Sequence, residues 1–434
     1  MNEERLRDAN LAFARAHPGE AAGRQPVHTV YGGAQLFTAD AIPKLGAVAR
    51  RAMEAYAPEP ADLGLALGIS AHPALQTIAE RVRSKLTREP VEDFRIDFED
   101  GYGNRPDAEE DGHAVAAAQA VREGLRQGTL APFIGIRIKP LNEELRARSV
   151  RTLELVHATL LESGGPGLPP NWVITLPKIT VLEQVRYFVG VLTNLERKFG
   201  LPEGALRYEA MIETPQLVLD ATGRSLLPHV LEASEGRLRG AHFGTYDYTA
   251  GLNVTASYQR MGHAACEFAK QVMQVAYAGT RVWLSDGSTT VLPVPIHKDK
   301  TLTDAQKTGN RASVHAAWRM HFDDVRHSLA GGFYQGWDLH PAQLVSRYAA
   351  LYSFFLDGIE AAGARLNNFV RKAAQATLVG DVFDDAATGQ GLLNFFLRGL
   401  NSGAVTESEA LAMTGLTAEE FRGRSFVKIM RART

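Results

Sequence analysis

Charged side chains recur along the middle of the chain at intervals typical of one strand–helix unit. Each of them follows a short apolar run, and the successive separations are 38, 41, 35, 34 and 39 residues. The residues are Glu99, Arg137, Lys178, Glu213, Asp247 and Asp286. Because the carboxyl ends of parallel strands meet at one face of a barrel, side chains in this phase are expected to line a single pocket.

Two of these residues, Glu213 and Asp247, would lie on adjacent strands. Two carboxylates held so close repel each other unless one is protonated or a cation lies between them. A hard divalent ion, most simply Mg²⁺, accepts a few carboxylates and leaves positions for substrate oxygens. The planar fork of Arg137 is suited to a substrate carboxylate. A 2-oxo acid bound to all three groups would have its α-carbanion stabilised as a metal enolate, a contribution of roughly several kcal/mol.

Each of these residues also has a plain structural interpretation. Glu213 could pair with a neighbouring base at the end of its strand, and Asp247 could cap the helix that follows, since Asp is a favoured N-cap. Arg137 could form a structural ion pair with Glu99 on the neighbouring strand. The common phase of the six residues favours the interpretation as a site.

The elements that must position these residues are short apolar runs alternating with amphipathic helices. The runs cover residues 27–31, 63–69, 94–98, 133–138, 172–176, 208–212, 240–243, 281–284 and 333–339. Alternation of strand and helix predicts parallel strands with crossover helices, and about eight strands favour a closed (β/α)8 TIM barrel. The α/β fold expected here is that barrel over residues 28–345, with the run at 63–69 either an insertion or the second strand.

The two ends of the chain differ from this pattern. Residues 1–27 are predicted to be a polar lead-in with helical character over 3–16. Residues 346–434 are rich in helix formers, and Thr417 opens a capping box with Glu420. An all-helical C-terminal extension is therefore expected, suited to serve as a lid or an oligomerisation element.

Composition limits the function classes. The 434 residues are 45% hydrophobic and 22% charged, with a net charge of −2, as in an ordinary globular protein. This near-neutral charge gives no reason to expect nucleic acid or a membrane surface as a partner. The single cysteine, Cys266, excludes an internal disulfide and a cysteine metal cluster. No apolar export segment begins the chain, so a cytoplasmic protein is expected.

Six short motifs occur in order along the predicted barrel. They are Asp97-Phe98-Glu99-Asp100-Gly101, Arg137-Ile138-Lys139, Leu176-Pro177-Lys178, Ile212-Glu213-Thr214, Gly244-Thr245-Tyr246-Asp247 and His340-Pro341. This ordered set resembles the citrate lyase β-subunit family, which includes malyl-CoA and citramalyl-CoA lyases among the phosphoenolpyruvate/pyruvate-domain barrels. The resemblance implies Mg²⁺ held by Glu213 and Asp247, with Arg137 on the substrate carboxylate. It also implies that Glu99 and Asp100 orient metal-bound waters.

The implied reaction is reversible carbon–carbon cleavage of a small β-hydroxy acid or its CoA thioester through an enolate. Lys178 is predicted to be catalytic. The resemblance also implies an acid/base on a C-terminal lid from a neighbouring subunit of a homo-oligomer, for which Asp384 or Asp385 is the candidate, Asp385 being preferred. Substrate contacts are expected from Lys139, Gly244, Thr245 and Asp286, Lys139 by sharing a strand face with Arg137.

Two other functions stay open. Residues 244–248, followed by Gly251-Leu252-Asn253, are similar to malate synthase, which performs a Claisen condensation on a related barrel. A barrel can also keep such a site only for ligand binding or assembly, because fold alone does not fix function.

Overall fold

Eight parallel strands form the centre of the fold in the computed structural model, which describes residues 3–19, 23–162, 167–371, 377–379, 382–384 and 386–433. The strands are β1 His28–Gly33, β2 Asp93–Asp97, β3 Phe133–Arg137, β4 Trp172–Leu176, β5 Tyr208–Ile212, β6 Leu238–Phe243, β7 Trp283–Ser285 and β8 Gly336–Asp338. They pair in the order β7-β6-β5-β4-β3-β2-β1-β8. The ring closes where Ser288 bridges Trp337 in parallel and the Trp337 N–H donates to the Gly287 carbonyl over 3.0 Å. The predicted (β/α)8 barrel is confirmed.

Helices surround this sheet and continue beyond it. They are α1 Glu3–Ala16, α2 Ala41–Tyr56, α3 Pro60–Leu67, α4 Leu75–Arg88, α5 Asp107–Gln127, α6 Arg146–Leu160, α7 Leu182–Phe199, α8 Pro215–Val218, α9 Leu227–Ala233, α10 Thr245–Gly251, α11 Ala264–Tyr277, α12 Asp304–Ala330, α13 Gln343–Leu356, α14 Ile359–Arg371, α15 Ala386–Ser402, α16 Glu407–Thr414, α17 Ala418–Gly423 and α18 Phe426–Arg433. Among the described helices, none combines the length and the apolar character that crossing a bilayer demands.

The apolar run at 63–69 is an insertion and not the second strand, so the first of the two interpretations is correct. It lies mostly in α3, which has Pro60 in its first turn and ends at Gly68 in the left-handed region with φ 64°. Proline at a helix start and glycine just after its end are helix boundary signals. Leu63 and Leu67 are buried against the barrel helices. The run therefore belongs to a two-helix insertion, α3 and α4, between β1 and β2.

A layer of buried charge fills the barrel interior beneath the strand ends. Arg95 of β2 contacts Asp93 and donates to Glu209 Oε2 on β5 over 2.6 Å. Glu209 also lies 3.3 Å from His242 on β6, and Arg95 Nε donates to Thr175 on β4 over 3.1 Å. Buried charges are tolerated when each has a partner. The network ties four strands together directly below the pocket.

The C-terminal extension is fastened to the N-terminal end of the barrel. Asn401 of α15 accepts from the Gln25 N–H over 3.0 Å and donates to the Gln25 carbonyl over 2.7 Å, while Arg398 donates to the Gln25 side chain over 2.7 Å. Gln25 in turn donates to the Leu284 carbonyl in β7 over 3.1 Å. The predicted boundary at 345 falls inside α13.

The extension is helical, as expected, apart from one hairpin that the sequence did not reveal. Strands β9 Thr377–Val379 and β10 Val382–Asp384 pair antiparallel. The Thr417 capping box is present at the start of α17. Asp385, the candidate acid/base, lies outside the described residues.

Candidate active site

A cleft of about 340 Å³ opens at the carboxyl ends of the strands. The predicted residues that line it are Asp100, Arg137, Glu213, Gly244, Thr245 and Asp247. This is the end of a (β/α)8 barrel where active sites form, because the loops that follow the strands meet there. The cleft thus combines residues from β2, β3, β5 and β6.

Glu213 is a deeply buried acid of this cleft. It follows β5 and is only 2% exposed, whereas the Asp247 side chain in the first turn of α10 is 43% exposed. The Lys178 backbone N–H donates to Glu213 Oε1 over 2.7 Å. Burial, together with the charges of Asp247 and Glu99, raises the pKa of Glu213 from an ordinary 4.5 to about 8. A cation between the two carboxylates would relieve this cost.

Gly244 allows α10 to approach this acid. A Cβ atom at that position would lie 2.5 Å from both Cβ and Oε2 of Glu213, closer than side-chain atoms approach. The residue between β6 and α10 therefore has to be glycine for Asp247 and Glu213 to share one cleft.

Arg137 is held mainly by an acid that the sequence did not single out for the site. Its Nε and Nη2 donate to Asp97 over 2.7 and 2.5 Å, and its Nη1 lies 3.0 Å from Glu99 Oε2. The guanidinium also stacks 4.8 Å from the Tyr31 ring centroid. Burial opposes its charge, but Asp97 and Glu99 outweigh this and raise the pKa of Arg137. The expected pairing with Glu99 is present, and the bidentate partner is Asp97.

Lys178 lies among the acids of the cleft. Its Nζ contacts Glu99, lies 3.1 Å from Asp100 Oδ1 and is 3.8 Å from Asp247 Oδ2. Its backbone has φ 50°, a conformation that residues other than glycine seldom adopt and that is common at functional sites. The structure therefore brings Lys178 together with Glu99, Asp100 and Asp247.

Two predicted substrate contacts point away from the cleft. Lys139 Nζ donates to the Phe98 carbonyl over 2.6 Å and pairs with Glu110 at 2.8 Å. Asp286 is buried behind β7, where it accepts from Lys270 over 2.9 Å and from the Ser328 hydroxyl over 2.7 Å. Both are structural ion-pair residues here, so the expectation that they reach substrate is corrected.

Asp97, Tyr31 and Trp337 are among the cleft residues that the sequence prediction missed. All three line the cleft, and the Tyr31 and Trp337 rings stack with centroids 4.6 Å apart. Tyr31 lies near the carboxyl end of β1 and Asp97 is the last residue of β2. The same strand-end position that identified Glu213 and Arg137 could have identified them.

The donor set fits a divalent ion held by few protein ligands. No group of three or more His, Cys, Asp or Glu side chains suited to a metal occurs within the described residues. The pair of Glu213 and Asp247 offers two carboxylates, one of them buried with a pKa raised by the other. Two hard oxygen ligands with open positions match the way Mg²⁺ is commonly held beside a substrate.

Barrels of known enzymes share this architecture. The chain superposes on a citrate lyase from Burkholderia xenovorans LB400 with a TM-score of 0.57 and 16% identity, over 91% of this chain and 100% of that one. A Haloferax volcanii malate synthase, in a magnesium/glyoxylate complex, gives a TM-score of 0.50 and 14% identity, over 94% and 97%. At these identities the likeness defines a class of fold.

The sequence comparisons are more specific. A stretch of 77 residues, 18% of the chain, is 43% identical to L-malyl-CoA/beta-methylmalyl-CoA lyase of Haloarcula marismortui and spans 20% of that relative. With the citrate lyase fold, this supports the predicted relation to citrate lyase β-like proteins. Residues 6–429 match the family described as a domain of unknown function, DUF6986, and the chain belongs to that family.

Proposed function

We propose that the protein is a Mg²⁺-dependent carbon–carbon lyase that cleaves or forms a small β-hydroxy acid or its CoA thioester. The observation that carries this proposal is the pairing of buried Glu213 with Asp247 in a cleft that also holds Arg137. The 43% identical stretch of a malyl-CoA lyase supports the same reaction class.

Glu213 and Asp247 would hold the ion, which when bound supplies Lewis-acid polarisation of substrate oxygens. Arg137 at the cleft wall, held by Asp97 and Glu99, is the proposed contact to the carboxylate of an acid substrate. Gly244 and Thr245 line the opposite wall and are the proposed contacts to the rest of the substrate.

Glu99 and Asp100 are proposed to orient water in the cleft. Both lie against Lys178, which holds their carboxylates and offsets part of their charge. Lys178 is a second candidate for moving a proton at the substrate, beside Asp385 from a neighbouring subunit of a homo-oligomer. A cytoplasmic location and the homo-oligomer remain predictions.

The test is a cleavage assay with malyl and citramalyl substrates, as free acids and as CoA thioesters, in Mg²⁺ and in EDTA. We expect Mg²⁺-dependent cleavage of at least one substrate, lost in Glu213→Gln and Asp247→Asn. The exposed Glu203→Gln serves as the matched control and should retain activity. Activity that persists in EDTA, or in both site variants, would place the chemistry elsewhere.

A malate synthase-like condensation is the second candidate, favoured by the similarity of residues 244–248 and 251–253 to that enzyme. Its test supplies glyoxylate and acetyl-CoA and measures free CoA release. If neither cleavage nor condensation occurs while Mg²⁺ and a 2-oxo acid still bind, the barrel is a binding or assembly module.

A further inference from the structure

Lys178 contacts both proposed metal ligands at once. Its backbone N–H donates to Glu213 Oε1 over 2.7 Å, and its Nζ lies 3.8 Å from Asp247 Oδ2. The same ammonium contacts Glu99 and lies 3.1 and 3.2 Å from the two carboxylate oxygens of Asp100. The Lys178 ammonium thus lies close to three carboxyl groups, and the Lys178 backbone N–H donates to a fourth.

The charges of the cleft do not balance without this ammonium. Three acids surround this ammonium, Glu99, Asp100 and Asp247, and the buried Glu213 accepts from its backbone N–H. Arg137 also faces these acids, and its bidentate edge is taken by Asp97. A lysine side chain is ordinarily an ammonium at neutral pH, and the acids around Lys178 favour that form.

The backbone and the side chain of Lys178 differ in conformational freedom. The backbone is fixed in the left-handed region after Pro177, with its N–H on Glu213. The side chain is 29% exposed, and a lysine side chain has four rotatable bonds that can turn it toward solvent. Nζ can therefore leave Asp247 while the amide stays on Glu213.

We infer that Lys178 is an internal counter-ion that stands in for the divalent cation in the metal-free cleft and competes with it. Mg²⁺ must displace the ammonium from Asp247, so Lys178 weakens Mg²⁺ binding while it stabilises the metal-free protein. The displaced ammonium gains a new partner when an anionic acid enters. Metal and acid then bind with positive coupling, each favouring the other. This inference rests on the metal site of the proposed function.

The test measures Mg²⁺ binding by titration calorimetry on metal-free Lys178→Met, Lys178→Arg and wild-type protein. We expect Lys178→Met to bind Mg²⁺ at least tenfold more tightly, about 1.4 kcal/mol. Its melting temperature without metal should fall. Lys178→Arg keeps the charge and should bind as weakly as the wild type. Lys44→Met, which removes an exposed ion pair to Asp40 on α2, is the control and should change neither quantity.

Lys178→Gln replaces Lys178→Met if the latter does not fold. Equal Mg²⁺ affinity in the neutral variant and the wild type overturns the inference, and so does a similar gain in Lys178→Arg. Pyruvate should tighten Mg²⁺ binding to the wild type at least fivefold and have a smaller effect on Lys178→Met. If no variant binds Mg²⁺, the proposed metal site fails as well. If all bind equally, only the role of Lys178 fails.

Discussion

Replacing Glu213 by glutamine should make the metal-free protein more stable at neutral pH. The pKa of Glu213 is raised from 4.5 to about 8 in the folded state, by burial and by Asp247. Between these values the unfolded chain ionises this group while the folded protein keeps it protonated, so the group destabilises the fold. The destabilisation begins as pH rises through 4.5 and is complete above 8.

The size of this destabilisation follows from the width of the pH interval between the two pKa values. At pH 7 the cost is about 3 kcal/mol, and at pH 5 it is about 1 kcal/mol. Glutamine does not titrate, and its carbonyl oxygen can still accept the Lys178 N–H. For a chain of 434 residues, about 3 kcal/mol corresponds to a rise in melting temperature of roughly 3 °C.

The assay is thermal unfolding in EDTA at pH 5 and pH 7, with Glu203→Gln as control, repeated with saturating Mg²⁺. Glu213→Gln should melt above the wild type at pH 7 and near it at pH 5. Mg²⁺ should raise the melting temperature of the wild type, because it binds only the folded state, and leave the variant unchanged. A variant that melts at or below the wild type at pH 7 would refute the charge argument.

Three further substitutions separate binding from stability. Arg137→Lys loses the bidentate contact to Asp97, so we expect thermal unfolding to show a loss of about 2 kcal/mol in unfolding free energy. Steady-state kinetics should show a substrate KM at least tenfold higher. Unchanged KM would leave Arg137 as a structural ion pair. Gly244→Ala puts a methyl group against Glu213, so calorimetry should detect little Mg²⁺ binding. Urea unfolding should show that the variant is less stable by about 1–3 kcal/mol. Asp286→Ala leaves a buried lysine without its main partner, so it should lose about 3 kcal/mol in urea unfolding while kcat stays near normal. A tenfold lower kcat would instead show that Asp286 takes part in the reaction.

The periodicity of charge at strand ends correctly brought Arg137, Glu213 and Asp247 to one cleft. Glu213 and Asp247 follow β5 and β6, and Arg137 ends β3, where the barrel geometry brings them together. This worked because one strand–helix unit returns the chain to the same face, whatever the loops between units do. The residue roles themselves stay predictions.

The errors arise where a strand ends. Arg137 and Lys139 were expected to share a face because side chains alternate along a strand. Strand β3 ends at Arg137, so the alternation does not extend to Lys139. Asp286 likewise lies one residue beyond β7, where the chain turns its carboxylate toward Lys270 on α11. A single sequence does not reveal such a turn, because the partner is 16 residues away on another element.

The attachment of α15 to Gln25 has a consequence for how the chain matures on the ribosome. Gln25 precedes the first barrel strand, and Asn401 and Arg398 that hold it belong to the last tenth of the sequence. The segment that precedes the first barrel strand therefore cannot form these hydrogen bonds until almost the whole polypeptide has emerged from the ribosome. Domains generally begin to fold from the N-terminal side during synthesis, at about 5–20 residues per second. A protein truncated before α15 should accordingly engage chaperones or aggregate, even though every predicted residue of the cleft has already been made.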